Sequence, residues 1–196
     1  MTLTDRQLEI VEAAGKIMTT EGVSGLTTKN LSKEMGFAES ALYRHFDGKE
    51  AIIITMLGFL AENMDERLNR VVSSQKNAKE NLEAIFNDQF DFFSKNPYFV
   101  VAVFSDGLLE SSQKINTAIM RIMQVKMKYL IPLVMDGQQQ GLFSNAVPSV
   151  ELASIIMGAF RLQMYKWRIA NFQFDILEQG NYLLSNMIKI IQPCKN

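Results

Sequence analysis

Apolar residues recur along this chain at intervals of three and four almost throughout, the period of an α-helix that buries one face. Ile10, Val11, Ala14, Ile17 and Met18 form the first such stripe, opened by a Thr4–Gln7 capping box and ended by Glu21-Gly22. Leu31 and Met35 share one face of a second helix, which stops at Gly36, a residue that takes a left-handed turn cheaply. Phe37 follows as an apolar plug, and Leu42 and Phe46, again four apart, give a third helix its buried edge. Asp47 with Glu50 is expected to cap a fourth helix running toward residue 72, and Asn77 with Glu80 a fifth that ends near Asn96-Pro97. Further helices are predicted over 98–105, over 112–140 with a bend at Pro132 and a stop at Gly141, from Ser149 to about 170, and from Asp175–Glu178 to about 191. The pattern predicts an all-α chain of about nine helices with no convincing strand. A small three-helix domain at 4–64 is expected to join rigidly, through the fourth helix, to a larger helical domain at 65–196.

Residues 26–50 carry the chemistry. At 100° per residue, Ser40 and Arg44 point away from the Leu42–Phe46 edge, while Ala41 and Tyr43 flank it. Small residues where backbone must come close, with a few hydrogen-bonding groups beside them, suit a helix laid in the major groove. The same apolar spacing also fits a plain three-helix bundle, in which Tyr43 simply covers the core and Lys33 and Glu34 are solvated. His45, the only histidine, is either a satisfied structural residue near the buried edge or a phosphate contact. Without carboxylate or cysteine company it makes no metal site.

The order Leu26-Thr27-Thr28-Lys29, Gly36-Phe37, Ala41-Leu42-Tyr43-Arg44-His45-Phe46, Gly48-Lys49-Glu50 resembles the amino-terminal domain of the tetracycline-repressor (TetR) family of bacterial transcriptional regulators over about residues 4–60. Beyond that the likeness is one of length and helical character. The resemblance implies DNA binding by a homodimer, and the lack of a secretion signal with a single cysteine makes the expected compartment cytoplasmic. It places Thr27, Thr28 and Lys29 at the phosphate-facing start of the second helix, Glu39, Ser40, Ala41, Tyr43, Arg44 and His45 on the recognition helix, and Lys49 beside the DNA backbone at the start of the fourth helix. Two positions depart from the family pattern. Ala38 stands where a serine or threonine cap is frequent, and Glu39 puts a negative charge at the DNA-facing tip, there either to accept from a cytosine amino group or to stabilise the helix start.

Charge tempers the picture. Lys29, Lys33, Arg44 and Lys49 face Glu34, Glu39 and Asp47 within residues 27–49, a net of one positive charge. Such a reader attracts DNA weakly, so two copies on two half-sites of a double-stranded, near-palindromic operator are expected. The whole chain, 196 residues with 47% hydrophobic residues and a net charge of -1, can bury a substantial core and is no disordered basic tail. No secretion signal and no apolar run approaching ~20 residues is visible, which gives no membrane partner. Cys194 is the single cysteine, so no internal disulfide forms. There is no Gly-rich phosphate loop, metal-spaced His/Cys set or Gly-x-Ser-x-Gly, and no histidine outside the reader. An enzyme is not indicated, and neither a cofactor nor a metal is implied.

The larger domain reads more openly. Helix 149–170 is apolar on two sides, Leu152, Ile155, Ile156, Ala159 and Leu162 on one and Met157, Phe160 and Met164 on the other. The last helix offers Ile176, Leu183, Leu184, Met187 and Ile191. By the family resemblance these two helices pair with their copies in a four-helix dimer interface, giving Leu152, Ile155, Ala159, Leu162, Leu183, Leu184, Met187 and Ile191 as interface positions. Phe86, Phe90, Phe93, Phe104, Met120, Met123, Met127, Met157, Phe160 and Arg161 are candidate linings for a pocket that takes an unknown apolar or aromatic small-molecule effector, with Asp106, Glu110 and Arg161 as polar anchors. The same residues also suit ordinary core packing. Three functions remain at this point: a ligand-released transcriptional regulator, a DNA-binding organiser that recruits a protein and senses nothing, and a helical small-molecule carrier.

Overall fold

The computed structural model describes residues 3–104 and 112–193. Among these, nine α-helices and no strand are present: α1 (Asp5–Gly25), α2 (Thr28–Met35), α3 (Glu39–Leu42), α4 (Lys49–Val71), α5 (Ala78–Lys95), α6 (Pro97–Phe104), α7 (Gln113–Gln139), α8 (Ser149–Ile169) and α9 (Ile176–Ile191). Cys194, Asp106 and Glu110 lie outside the described residues. The helix starts follow the chemistry of the chain. Thr4 and Gln7 form the reciprocal capping box ahead of α1, Asn77 and Glu80 do the same ahead of α5, and Asp175 accepts from the backbone N–H groups of Leu177 and Glu178 ahead of α9. The Asp47–Glu50 cap does not form. Gly48, at φ 106°, precedes α4, and Glu50 accepts from the Ser112 hydroxyl instead. α7 runs through Pro132, which forgoes one backbone bond without ending the helix.

The chain divides into two compact units. The first holds residues 1–63 and 96–123; the second holds 64–95 and 124–196. The first unit takes in α6 and the start of α7 besides the reader helices. In the first unit α1 packs on α2 and α6, and α2 on α3. Its buried residues include the α1 stripe, Leu26, Leu31, Leu42, Phe46 and the Ile52, Ile53, Met56, Leu57 and Leu60 face of α4.

In the second unit α5 packs against α9, and α9 against α8. Gly180 permits the first of these contacts. A Cβ added there would lie 2.6 Å from the Phe90 ring, so only glycine lets the two helices approach so closely. Phe86, Phe90 and Phe160 form a cluster with ring centroids 5.4–5.9 Å apart, and Phe93 joins it at 6.2 Å from Phe160.

Candidate nucleic-acid interface

The reader is built from two short helices held by their ends. Thr27 caps α2 by accepting from Asn30 N–H at 3.0 Å, and Gly36, at φ 70°, closes α2 in the left-handed conformation. Phe37 then lies under the Arg6 guanidinium, 4.9 Å from its ring centre, so the apolar plug has a cation from α1 as its cover. α3 proper is only Glu39–Leu42. Tyr43 to His45 continue it as a tightened turn, with Arg44 N–H bonded to Ala41 O and His45 N–H to Leu42 O.

Leu42 and Phe46 are buried, and this turns the other edge outward. Glu39, Ser40, Tyr43, Arg44 and His45 are exposed, Tyr43 by 54%, and Ala41 is half-buried. His45 and Tyr43 are both exposed, so neither fills the core. Lys29 is exposed on α2.

Besides Thr27, the sequence-derived positions Thr28, Glu39 and Lys49 have structural partners. Ala38 supplies no side-chain cap, as its methyl dictates. Thr28 donates its hydroxyl to the Glu39 carboxylate at 2.9 Å, which ties the start of α2 to the start of α3 and gives Glu39 a role beside the two weighed from sequence. Lys49 donates to the Val23 carbonyl at 2.6 Å, near the end of α1, and partial burial lowers its ammonium below the ordinary lysine value. Sequence spacing gave no sign of either tie, because both join residues brought together only by the turn between helices.

The expected interface and pocket positions separate on folding. Leu152, Leu184, Met187 and Ile191 are buried in this chain's own second unit, so they are not available as a surface for a second copy. The reason is helical phase, since the sides of α8 and α9 that carry these residues are turned inward. Ile155 and Leu162 stay exposed, and Ala159 and Leu183 are half-buried. With Gly158, Tyr165 and Ile169 they form an outward stripe on α8, and Tyr182 and Ile190 are exposed on α9.

A cavity in the second unit is bounded by Ile85, Phe86, Leu130, Met157 and Phe160, with Gln89 and Lys126 as its polar members. Phe90 and Phe93 pack around Phe160, and Met127 is half-buried on α7. Met120 and Arg161 do not fit a pocket role: both are exposed, on the outward sides of α7 and α8. Phe104, Met120 and Met123 belong to the first unit rather than to the one that holds this cavity.

Sequence reading passed over Lys126 and Gln89, although a signal existed. Lys126 falls on the buried stripe Ile115, Ile119, Ile122, Leu130, Leu133 of α7, and Gln89 on the stripe Leu82, Ile85, Phe86, Phe93 of α5. A polar residue at a core position of a helix is the informative exception.

Among the described residues, no helix is long and apolar enough to cross a membrane, and no group of three or more His, Cys, Asp or Glu could hold a metal ion. An all-helical chain with a helix-turn-helix whose polar edge faces outward is the architecture of a DNA-binding regulator. The comparisons agree. Residues 10–56 match the family described as bacterial regulatory proteins, tetR family, and residues 56–189 match the family described as YsiA-like protein, C-terminal region. The chain belongs to the TetR family of DNA-binding regulators.

Among curated relatives, it is 28% identical over 173 residues to the nucleoid occlusion factor SlmA of Vibrio campbellii, covering 88% of each chain. Among solved structures, the fold is similar to the transcriptional regulator FadR of Bacillus subtilis in complex with stearoyl-CoA, with a TM-score of 0.80 at 19% identity over 94% of this chain and 99% of that one. It is also similar to the fatty acid degradation regulator FadR of Bacillus halodurans, with a TM-score of 0.84 at 16% identity over 96% and 97%.

Proposed function

We propose that this chain is a homodimeric cytoplasmic repressor that holds a near-palindromic duplex through two copies of the α2–α3 face and releases it when an apolar or aromatic small molecule occupies the second unit. The observation that carries the reading is the outward set Ser40, Tyr43, Arg44 and His45 on a turn whose Leu42 and Phe46 are buried. In this reading the domain at 4–64 reads DNA and the domain at 65–196 senses and dimerises. Arg44 and Ser40 meet base edges, Ala41 allows close approach, and Thr27, Thr28, Lys29, Tyr43, His45 and Lys49 lie near phosphates. Glu39 holds Thr28 in place.

The weak net charge of the reader favours two copies acting together. The exposed stripe Ile155, Gly158, Leu162, Tyr165, Ile169 gives a second copy an apolar surface, and a Cβ at Gly158 would meet nothing within 4 Å, so a partner helix can come close there. The FadR structure with stearoyl-CoA supports a ligand for this fold. Because α4 carries residues of both units, a ligand that displaces it alters the separation of the two readers from about 34 to 36 Å, one DNA turn, or a multiple of it.

The test is selection of duplexes from a random pool, followed by titration of the enriched duplex with and without candidate effectors. Enrichment of a two-fold site, bound by two chains and released by a small molecule, is the expected result. A second reading, a DNA-binding organiser that senses no ligand, is favoured by the likeness to a nucleoid occlusion factor. Site-specific binding that no small molecule disturbs would select it.

A further inference from the structure

The second unit contains a cation in a place where folding alone gives no reason for one. Lys126 is 8% exposed, and its ammonium lies 3.8 Å from the centre of the Phe160 ring and 5.6 Å from that of Phe93. Among the described residues it makes no ion pair. The nearest charged influence is another cation, Arg67, whose guanidinium lies over the Phe92 ring and pairs with Asp88. Burial pushes the Lys126 ammonium down to about 7.

Beside it on the cavity wall is Gln89, 2% exposed, whose Nε2 donates to the Asp88 carboxylate at 3.1 Å while its Oε1 has no hydrogen-bond partner. That bond fixes which end of the amide is oxygen, because reversing it would set an oxygen against the carboxylate. The cavity therefore lacks two things, an anion or strong acceptor for Lys126 and a donor for Gln89. Its remaining wall is apolar: Ile85, Phe86, Leu130, Met157 and Phe160.

The cavity as it stands has a volume of only about 10 Å³, enough for about one water. One water can bond Gln89 but leaves the charge of Lys126 without a counterpart. A larger occupant has to spread α5, α7 and α8, and Met157, half-buried at the margin, is the adaptable residue there. Binding that needs such spreading is coupled to a change of shape, as a sensor requires.

We infer that this cavity is the effector site and that its ligand is an apolar carboxylic acid, seated with its head between Lys126 and Gln89 and its body against Phe86, Leu130, Met157 and Phe160. The carboxylate's oxygens accept from the lysine ammonium, and a remaining proton of that ammonium is the donor for Gln89 Oε1. The inference rests on the sensor reading of the second unit and gives that unit its ligand class.

The experiment titrates the full chain with decanoate, decanol and decylamine below pH 7, following the single tryptophan, Trp167, which is buried in the same unit. Decanoate should bind about tenfold or more tighter than decanol, the difference made by a charged hydrogen bond, and decylamine should not bind. Lys126→Met should erase the preference for acid over alcohol, and Gln89→Leu should reduce it, while circular dichroism stays as in the wild type. Should Lys126→Met not fold, Lys126→Gln serves the same comparison. Equal affinity for acid and alcohol, an acid preference that survives loss of Lys126, or no binding by any of the three overturns the inference. Acid binding that leaves bound DNA in place would instead contradict the regulatory reading while upholding the site.

Discussion

The two units of this chain use one helical period to opposite ends. In the reader, the polar exceptions to the apolar pattern fall on the outer edge, where Ser40, Tyr43, Arg44 and His45 face solvent. In the second unit, the exceptions fall on the inner stripes, where Gln89 and Lys126 are enclosed. A polar group facing out costs little and waits for a partner that arrives from outside, such as a nucleic acid. A polar group facing in is destabilising until something small reaches it. The position of the exception relative to the stripe is therefore what separates the two proposed partners, a duplex outside and a small acid inside.

The contrast is broken most strongly by truncating the core that turns the reader's edge outward. Leu42→Ala should destabilise the first unit by about 2–5 kcal/mol and abolish DNA binding, measured by thermal unfolding and by anisotropy of a labelled duplex. The opposite sign is expected inside the second unit. The Lys126 ammonium has a folded value of about 7 against 10.5 for free lysine, so the folded state sheds its proton first as pH rises. Below pH 7 both states are protonated and the burial penalty is fully present; stability should then rise between pH 7 and 10.5 and level off above. Its size is on the order of a few kcal/mol, set first by burial and then by the Arg67 cation. Denaturant titrations across that range should show the rise in the wild type and not in Lys126→Met, which should also be the more stable protein at neutral pH.

Gly180→Ala, which sets a methyl against the Phe90 ring, should lower stability by about 1–3 kcal/mol in the same denaturant assay. On DNA, Arg44→Ala should change the preference among duplexes by about 1–3 kcal/mol per affected base pair, whereas Tyr43→Ala should weaken all duplexes alike. The smallest effect is expected of Thr28→Val, which removes the bond to Glu39 and should cost about 1 kcal/mol of reader stability.

Much of the architecture was legible because it is local. Helix starts at Thr4, Asn77 and Asp175 and the stop at Gly36 depend on residues within three positions of one another, and the structure has them where the chain spells them. The cap at Asp47–Glu50 was misread because Gly48 interposes a positive φ that spacing does not reveal. The outward placement of Ser40 and Arg44 followed from period, whereas Tyr43 and His45, set nearer the buried edge by period, are exposed by the tightened turn after Leu42. The ties Thr28–Glu39 and Lys49–Val23 did not follow from period, since they depend on how neighbouring helices meet. In the second unit, counting aromatic and methionine residues found part of the cavity wall, Phe86, Met157 and Phe160, but the phase of α7 and α8 put Met120 and Arg161 outside. The two polar residues that give the cavity its chemistry were open to a stricter rule, which is to look for the charged residue on an otherwise apolar stripe.

The most direct test of the central claim is enrichment of duplexes from a random pool by the wild-type chain, run beside the Arg44→Ala variant, with the mass of the bound complex read by sedimentation. The account predicts one two-fold site carrying two chains, and an altered or relaxed base at a symmetric pair of positions for the variant. No enriched duplex, or a single chain bound with a preference indifferent to Arg44, would contradict it.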